Sequence, residues 1–384
     1  MAIHAKAALL SDGWAENVRF SIYDGLISAI EIGVKADADD EHHNVIVPTM
    51  PNLHSHAFQR AMAGMTEVRG STSDSFWSWR ELMYRFALSM TPEQMEAVAC
   101  QLYAEMLEAG FGRVGEFHYL HHDISGQPYA NIAEMSERVA SAAEQAGISL
   151  TLLPVLYAHS GFGGLDPVEG QRRFINDPTQ YEKLFAGAEQ AVSRLTHGRI
   201  GVAPHSLRAV TPEELFFAAK LSGSRPVHIH IAEQIKEVED CLAWSGKRPV
   251  EWLYENMDVD SNWCLIHATH MTSAEVQSVA KSGAVAGLCP VTEANLGDGI
   301  FAGGEFKEHS GTWGIGSDSN VLISVGDELR QYEYSQRLAS RSRNVLAGSN
   351  QSTGRALFDA ALAGGNQALS APLHMTIGSP ADLV

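Results

Sequence analysis

The stretch WCLIHATHMTSAEVQSVAKSGAVAGLC, residues 263–289, contains one complete strand–helix–strand unit. Apolar residues 263–268 predict a buried strand, a capping box that starts at Thr272 opens an amphipathic helix, and Gly283 ends that helix. The second apolar run, 284–289, predicts the next strand. Because strands joined by a helix in this way lie parallel, the stretch predicts an α/β fold with a parallel sheet.

The same alternation of apolar runs and helical segments extends over most of the chain. Thr91-Pro92 and Thr211-Pro212 each begin a helical segment with a threonine cap followed by proline. Gly110 and Gly147 follow the ends of two such segments. Eight alternating strands predict a (β/α)8 TIM-like barrel, whose site lies at the carboxyl ends of the strands. The predicted strands are residues 45–48, 113–119, 149–158, 199–205, 226–232, 263–268, 284–289 and 312–317.

Residues 1–48 predict a small β layer beside this barrel. Two short strands in it flank Asp24-Gly25, a favoured turn of β-hairpins. We divide the chain into this layer (1–48), the barrel (49–375) and a returning segment of the layer (376–384). The final letters, IGSPADLV, predict the beginning of a strand, and a natural terminus seldom cuts a strand at its entry. We therefore expect a truncated chain whose β-sandwich is incomplete because its closing strands are missing.

The composition excludes several classes of protein. The chain has 384 residues, with 27 basic and 46 acidic side chains and a net charge of −19, which argues against a nucleic-acid binder. No apolar run approaches the roughly 18 residues that span a membrane. The four cysteines form no CxxC pair, so neither a disulfide framework nor a thiolate zinc site is indicated. We expect a globular protein of the cytoplasm that binds no nucleic acid and no membrane.

Histidine and aspartate residues stand at the carboxyl ends of several predicted strands. His54 and His56 are two apart on extended backbone, so both imidazoles face one side and can reach one ion. An isolated pair of this kind is more often a pair of hydrogen-bonded loop residues than a metal site. However, His230, His267 and Asp318 also lie at strand ends, which meet at one mouth of a barrel. The set predicts a mononuclear catalytic site of zinc or iron, and the predicted ligands are His54, His56, His230 and Asp318.

Two further residues are expected to move protons. Glu233 follows the strand that carries His230, and attack on a carbon that bears nitrogen requires a proton carrier for the leaving group. The alternative for Glu233 is a solvated glutamate that opens the next helix. His267 is assigned to orienting or deprotonating the water, since Asp318 already completes the ligand set. The segment 198–210 around the fourth strand contains no lysine that could bridge a second ion, so one metal is preferred.

The remaining histidines receive no ligand role. His228 shares a face with His230 but lies deeper in the strand, where a hydrogen-bonded core histidine is the favoured interpretation. Those interpreted as surface residues, or as residues behind the ligands, are His121, His122, His159, His270 and His309.

Several segments of the chain together resemble a known family. PNLHSHAFQR, HIHIAEQ, LIHATH and GIGSDSN are similar to the strand-end motifs of the amidohydrolase superfamily and its mononuclear deaminase branch. The similarity narrows to the formimidoylglutamate deiminases with NLHSHAFQRAMAG, DSFWSWRELMYR, EFHYLHHD, HSLRAVT and TEANLGDGIF. The resemblance runs from about residue 8 to the end of the chain.

This resemblance implies a reaction and a pocket. The implied reaction is the hydrolysis of N-formimidoyl-L-glutamate to N-formyl-L-glutamate and ammonia in histidine degradation. It implies one divalent metal, Zn²⁺ or alternatively Fe²⁺, with protons handled by Glu233 and His267. The implied substrate-binding residues are Gln59, Arg80, Tyr119, His205 and Arg208.

The arginines suit such a substrate. A guanidinium binds a carboxylate bidentately, and a glutamate-like molecule carries two carboxylates. Arg208 lies three residues beyond His205 and hence at the mouth of the barrel. Without the resemblance, Arg80 in the aromatic run FWSWRELMYRF would be interpreted as a snorkelling arginine on a packing helix.

Two other functions stay open at this point. One is a deaminase of a purine, pyrimidine or related heterocycle on the same scaffold, although a neutral base offers the two arginines no carboxylate. The other is a catalytically silent metal-binding scaffold, although such a protein has no need of both Glu233 and His267. The expected partner is a small dicarboxylate substrate, and a homodimer is one of the assemblies left open.

Overall fold

The structure, a computed structural model, describes residues 1–69, 75–372 and 375–384. Four strands at the amino-terminal end form the β layer: β1 (Ala2–Leu10), β2 (Gly13–Tyr23), β3 (Leu26–Ile32) and β4 (Glu41–Ile46). Their order in the sheet is β3-β2-β1-β4. β2 is antiparallel to both of its neighbours, whereas β4 is parallel to β1.

The predicted hairpin in this layer is confirmed. Asp24 and Gly25 join β2 to β3 with φ angles of 51° and 73°, the left-handed pair that a type I′ turn requires. The last residues of the chain also lie on this layer. Pro380 forms an antiparallel bridge with Leu26, and Val384 exchanges both backbone hydrogen bonds with Val47.

Beyond the layer, nine strands of the described chain form two parallel sheets. They are β5 (Met50–Ser55), β6 (Phe111–His118), β7 (Ser149–Leu156), β8 (Arg199–Ile200), β9 (Ala203–Pro204), β10 (Val227–Ile231), β11 (Trp263–His267), β12 (Val285–Leu288) and β13 (Thr312–Ile315). The first sheet has the order β5-β6-β7-β8, with β9 also paired to β7. The second sheet has the order β10-β11-β12-β13.

Isolated parallel bridges connect the two sheets at both edges. At one edge Ser55 of β5 bridges Asp318, which follows β13. At the other edge Ser206, just past β9, bridges His230 of β10. Backbone hydrogen bonds therefore connect the strands from β5 to β13 and back to β5. The predicted α/β class, with parallel strands and an amino-terminal β layer, is confirmed.

Two strand predictions differ from the structure. The prediction of 45–48 as the first barrel strand is wrong, because residues 45 and 46 pair with β1 and complete the β layer. The first barrel strand is β5, which starts only at Met50. The predicted strand 199–205 is divided into β8 and β9 at Gly201, where a Cβ would lie 2.6 Å from the Pro226 carbonyl oxygen. That close approach requires glycine at this position. The limits of the three predicted domains stay a prediction.

Helices alternate with these strands as predicted. They are α1 (Phe76–Ala87), α2 (Pro92–Glu108), α3 (Glu134–Ala146), α4 (Pro178–Val192), α5 (Pro212–Ser222), α6 (Ile235–Ser245), α7 (Pro249–Asn256), α8 (Ser273–Ser282), α9 (Pro290–Leu296), α10 (Gly303–Glu308), α11 (Val325–Ser340) and α12 (Thr353–Ala368). Short 3-10 helices span Ala57–Met62 and Glu169–Gln171. Capping boxes at Thr91, Thr211 and Thr272 begin α2, α5 and α8. Among the described helices, none is long and apolar enough to cross a lipid bilayer.

Helix α12 covers the amino-terminal ends of the strands, opposite the mouth. Gly364 of this helix lies against β13, and a Cβ there would meet the Trp313 carbonyl oxygen at 1.9 Å. The carbonyl of Ala368 accepts a hydrogen bond of 2.8 Å from Nε2 of His228. His228 is fully buried, so its interpretation as a core histidine is confirmed.

Candidate active site

Four predicted ligands converge at the carboxyl ends of the strands. His54 and His56 come from the end of β5, His230 from β10 and Asp318 from the turn after β13. One nitrogen or oxygen of each lies within 4.8 Å of the others, and all four residues are buried. The His54 and His230 Nε2 atoms are 3.1 Å apart, and Asp318 Oδ1 lies 3.2 Å from His56 Nε2 and 3.4 Å from His54 Nε2.

The donor atoms suit a divalent ion. His56 Nδ1 lies 2.8 Å from the Phe117 carbonyl oxygen and His230 Nδ1 lies 3.1 Å from that of His205, so each Nδ1 donates outward. The Nε2 lone pairs then face the centre of the group. Burial lowers the pKa of His54 to about 3, so its ring is neutral. Neutral imidazoles and one carboxylate are the ligands that Zn²⁺ and Fe²⁺ accept.

The backbone at three strand ends takes an unusual conformation. Ala232, His267 and Asp318 have positive φ angles of 51°, 67° and 45°. Non-glycine residues in the left-handed region cost free energy and persist where the surrounding structure holds them. Glu237 of α6 does so next to β10, since its carboxylate accepts the backbone N–H groups of Ala232 and Glu233 at 3.0 and 3.2 Å. These turns bring Glu233, His267 and Asp318 to one cavity.

Glu233 and His267 form a buried pair beside the ligands. His267 Nε2 lies 3.7 Å from Glu233 Oε1, and His267 Nδ1 lies 3.3 Å from Glu293 Oε1. Burial raises the pKa of Glu233 to about 7. Burial opposes the charge on His267, but Glu233, Glu293 and Asp318 outweigh it and raise the pKa of His267 to about 10. A bound cation would add positive charge and lower both values.

The five predicted substrate-binding residues lie in the same cavity. The cavity lies beside the ligands, and its space measures about 520 Å³ with the part that is open to solvent included. It is lined by the predicted residues Gln59, Arg80, Tyr119, His205 and Arg208 together with His56, His230, Glu233, His267 and Asp318. Gln59 Nε2 donates a hydrogen bond of 3.0 Å to the Tyr119 hydroxyl oxygen. The predicted residues are thus brought together, with His54 as the one that does not line the cavity.

The two arginines have no carboxylate partner in the described ranges. The Arg208 side chain is only 7% exposed, and its Nε has no hydrogen-bond partner. Burial opposes its charge, but Glu237, Tyr157 and Glu233 together keep its pKa above the ordinary value. The Arg80 guanidinium lies 4.6 Å and that of Arg208 5.9 Å from the ring centre of Trp77. Two cations therefore face the cavity, free to bind an anion.

Sequence reasoning missed several residues of this cavity. Tyr84, which lines the cavity, lies four residues after Arg80. Trp77, whose ring contacts the Arg80 guanidinium, lies three residues before it, so all three share one face of α1. In the sequence, this spacing was the signal that could have revealed the face. The same spacing is also typical of a helix that only packs against the core, whereas the structure places Arg80 in the lining of the cavity. Glu293, which contacts His267, lies within the segment TEANLGDGIF but received no role from the sequence. Tyr157 lies in none of the segments that carry the family resemblance.

The interpretation of His121 and His122 as surface residues is wrong. Both are buried, and their Nε2 atoms lie 3.0 Å from the Val155 and 2.8 Å from the Ile175 carbonyl oxygen. Two adjacent histidines resemble a polar loop in sequence, and only the contacts with distant carbonyls show that they are core residues.

Comparisons with known proteins agree with this geometry. Residues 45–361 match the model of the amidohydrolase family, and residues 1–44 match that of the formimidoylglutamate deiminase HutF N-terminal domain. Formimidoylglutamate deiminase of Pseudomonas aeruginosa is 56% identical over 389 residues, covering 100% of this chain and 85% of that protein. The 8-oxoguanine deaminase of the same organism is 27% identical over 311 residues, with 78% of this chain and 66% of that protein covered.

Solved structures show the same fold. A crystal structure of an amidohydrolase from Brucella melitensis superposes with a TM-score of 0.98 and 63% identity, covering 100% of this chain and 86% of that one. A zinc-bound adenosine deaminase from Xanthomonas campestris superposes with a TM-score of 0.80 and 20% identity, covering 100% of this chain and 83% of that one. The second likeness shows the fold alone.

Proposed function

This chain belongs to the amidohydrolase family and, within it, to the formimidoylglutamate deiminases, and from that membership we propose that it hydrolyses N-formimidoyl-L-glutamate to N-formyl-L-glutamate and ammonia. One observation of the site carries this proposal. Arg80 and Arg208, which lack carboxylate partners in the described ranges, line the same cavity as the convergent ligand set. A substrate with carboxylates at one end and an amidine at the other matches both features.

We assign the metal to His54, His56, His230 and Asp318, with Zn²⁺ preferred and Fe²⁺ as the alternative. When bound there, such an ion acidifies and positions a water molecule. Imidazole nitrogens and a carboxylate oxygen are ligands that zinc favours, which supports the preference. One ion per chain is proposed, because residues 198–210 offer no lysine to bridge a second.

We assign proton transfer to Glu233 and His267. Glu233 takes one proton from the attacking water and delivers it to the terminal nitrogen of the formimidoyl group. The second proton of that water then passes from the added hydroxyl to the same nitrogen, the carbon–nitrogen bond breaks, and ammonia leaves. Water adds its oxygen to the formimidoyl carbon, so the N-formyl product retains every other atom of the substrate. Burial raises the pKa of Glu233, which helps this carboxyl group to hold the proton that it passes on. His267, held by Glu293 on its other nitrogen, stabilises the charge that develops beside Glu233.

We assign substrate binding to Gln59, Arg80, Tyr119, His205 and Arg208. The guanidinium groups would each bind a carboxylate, and burial of Arg208 excludes water that would weaken the pair. The reaction belongs to histidine degradation. The four free cysteines suit a reducing compartment, which supports a cytoplasmic location.

Ammonia release from a small set of substrates tests this proposal. The metal-loaded protein is assayed with N-formimidoyl-L-glutamate, with formimidoyl compounds that lack one carboxylate, with guanidino acids and with purine bases. We expect N-formimidoyl-L-glutamate to give the highest kcat/KM. Faster turnover of a neutral heterocycle would favour the heterocycle deaminases instead, and no turnover by the loaded protein would favour a silent scaffold.

A further inference from the structure

Three residues beside the cavity take no part in the proposed chemistry. Gln171, in the short helix Glu169–Gln171, is buried, and its Oε1 accepts the Val168 backbone N–H at 2.9 Å. Its Nε2 lies 3.0 Å from the Tyr157 hydroxyl oxygen and 3.4 Å from that of Tyr84. Because the backbone bond fixes which end of the amide is oxygen, the nitrogen donates to both tyrosines.

The direction of these hydrogen bonds leaves a phenol proton for the cavity. A hydroxyl that accepts from Gln171 still has its own proton to donate. Tyr84 and Tyr157 both line the cavity, and in the described ranges their hydroxyls have no acceptor other than each other. Even where one hydroxyl donates to the other, the second proton stays unused. At least one phenol O–H is therefore available to a bound molecule.

These hydroxyls lie among the two arginines. The charges of Arg208 and Arg80 both act on the Tyr157 hydroxyl, and Arg80 lies 5.7 Å from the ring centre of Tyr84. The guanidinium groups can only donate, and at least one of the two hydroxyls still has a proton to donate. A carboxylate accepts through both of its oxygens, so it can satisfy this set completely.

We propose that Tyr84 and Tyr157 donate hydrogen bonds to a carboxylate of the substrate beside Arg80 and Arg208, and that Gln171 is the positioning residue that directs both hydroxyls. The inference rests on the proposed function, since it concerns how the dicarboxylate is selected.

Kinetics of the metal-loaded Tyr84→Phe/Tyr157→Phe variant test this inference. With N-formimidoyl-L-glutamate we expect kcat/KM to fall about 10- to 100-fold, the effect of losing hydrogen bonds to a charged group. The fall should appear mainly in KM, because the carboxylate is bound equally in the ground and transition states. Tyr181→Phe is the matched control. Its hydroxyl is buried and donates to the Pro154 carbonyl at 2.8 Å, outside the cavity, so KM should not change.

Gln171→Met tests the positioning role in two backgrounds. Met keeps the length of the side chain but cannot donate to the hydroxyls. We expect a raised KM in the otherwise unchanged enzyme and no further rise in the Tyr84→Phe/Tyr157→Phe background, since Gln171 acts only through the tyrosines. An equal rise in both backgrounds would overturn the positioning role.

The controls separate this inference from the proposed function. If the unchanged enzyme releases ammonia but the double variant keeps its KM, the inference fails while the function stands. If the unchanged enzyme releases none, the function fails, and titration calorimetry with N-formyl-L-glutamate decides the inference. Weaker binding to the double variant supports it and equal binding overturns it. Should the double variant fail to fold, Tyr84→Phe alone, at a half-buried position, gives the same comparison.

Discussion

At the scale of single residues, the site depends on which atoms of a side chain already form hydrogen bonds with the surrounding protein. The outer nitrogens of His56 and His230 are bound to backbone carbonyls, which turns their inner nitrogens to the ligand centre. His228 belongs to the same strand as His230, yet its Nε2 donates to the carbonyl of Ala368, the last residue of α12. Identical residue types therefore differ in role because their partners differ.

Substitution of a ligand should remove the metal. His56→Ala and Asp318→Ala each delete one donor of the convergent set, so we expect both to lose bound metal and activity. His228→Ala is the control. It should keep the metal and lose only stability, by about 1–3 kcal/mol for the unpaired Ala368 carbonyl, plus the cost of the cavity. Metal retained by either ligand variant, measured by elemental analysis, would contradict the assignment.

Glu233→Gln should keep the metal but lose turnover. The amide preserves the shape of the side chain and removes proton transfer, which usually contributes about 10²–10⁴ in rate. His267→Asn should behave similarly. The check is kcat at a measured metal content, and near-normal turnover of either loaded variant would refute the proton-transfer role.

Arg208→Met should weaken binding of the dicarboxylate selectively. The change keeps most of the packing but leaves a substrate carboxylate unpaired, a loss of about 2–5 kcal/mol in kcat/KM for a buried charge pair. A formimidoyl substrate without the matching carboxylate should lose much less. If Arg208→Met and Arg80→Met lowered kcat/KM equally for both substrates, the arginines would be structural.

At the scale of elements, the carboxyl ends of the strands position the side chains of the site, and α12 packs against the opposite ends of the strands. Glu237 holds the turn after β10 through two backbone N–H groups. Below the strands, α12 approaches β13 so closely that Gly364 has no room for a side chain. Glu237 and Gly364 are far apart along the chain, but they contact the turn after β10 and β13 respectively, and these two strands belong to the same sheet.

Gly364→Ala should destabilise the protein. A Cβ would lie 1.9 Å from the Trp313 carbonyl oxygen, so α12 or β13 must shift, and overpacking of this kind costs about 1–3 kcal/mol or more. Gly354→Ala, in the same helix, is the matched control. Nothing lies within 4 Å of the Cβ there, so alanine should stabilise α12 by about 0.5–1 kcal/mol. The measurement is the melting temperature of both variants in thermal unfolding. Equal melting temperatures would refute the close contact between α12 and β13.

At the scale of the whole molecule, a chain with a net charge of −19 has to bind the two carboxylates of the proposed substrate. Long-range electrostatics repel such a substrate, so its affinity has to come from local cations in a partly desolvated pocket. The metal, Arg80 and Arg208 supply that charge in the proposed site. Folding also brings three imidazoles and the Asp318 carboxylate within reach of one ion, so the folded chain should bind a metal more tightly than the unfolded one.

Removal of the metal should therefore lower the melting temperature as well as abolish activity. An ion that binds only the folded chain stabilises it in proportion to the logarithm of its concentration over Kd. We expect one tightly held ion per active chain by elemental analysis, and recovery of stability and activity together when Zn²⁺ is returned. Two tightly held ions in the active protein would contradict the mononuclear assignment.

The amino-acid sequence by itself determined the alternation of strands and helices, the caps at Thr91, Thr211 and Thr272, and the positions of the predicted ligands at strand ends. These follow from local periodicity and capping, which need only neighbouring residues. Tertiary structure alone decided that residues 45 and 46 belong to the β layer and that the aromatic face of α1 lies over the mouth. It also decided that Gln171 donates to the hydroxyls of both Tyr84 and Tyr157. Such contacts join residues far apart in the chain, and no local pattern encodes which distant backbone or side chain will satisfy a given polar atom.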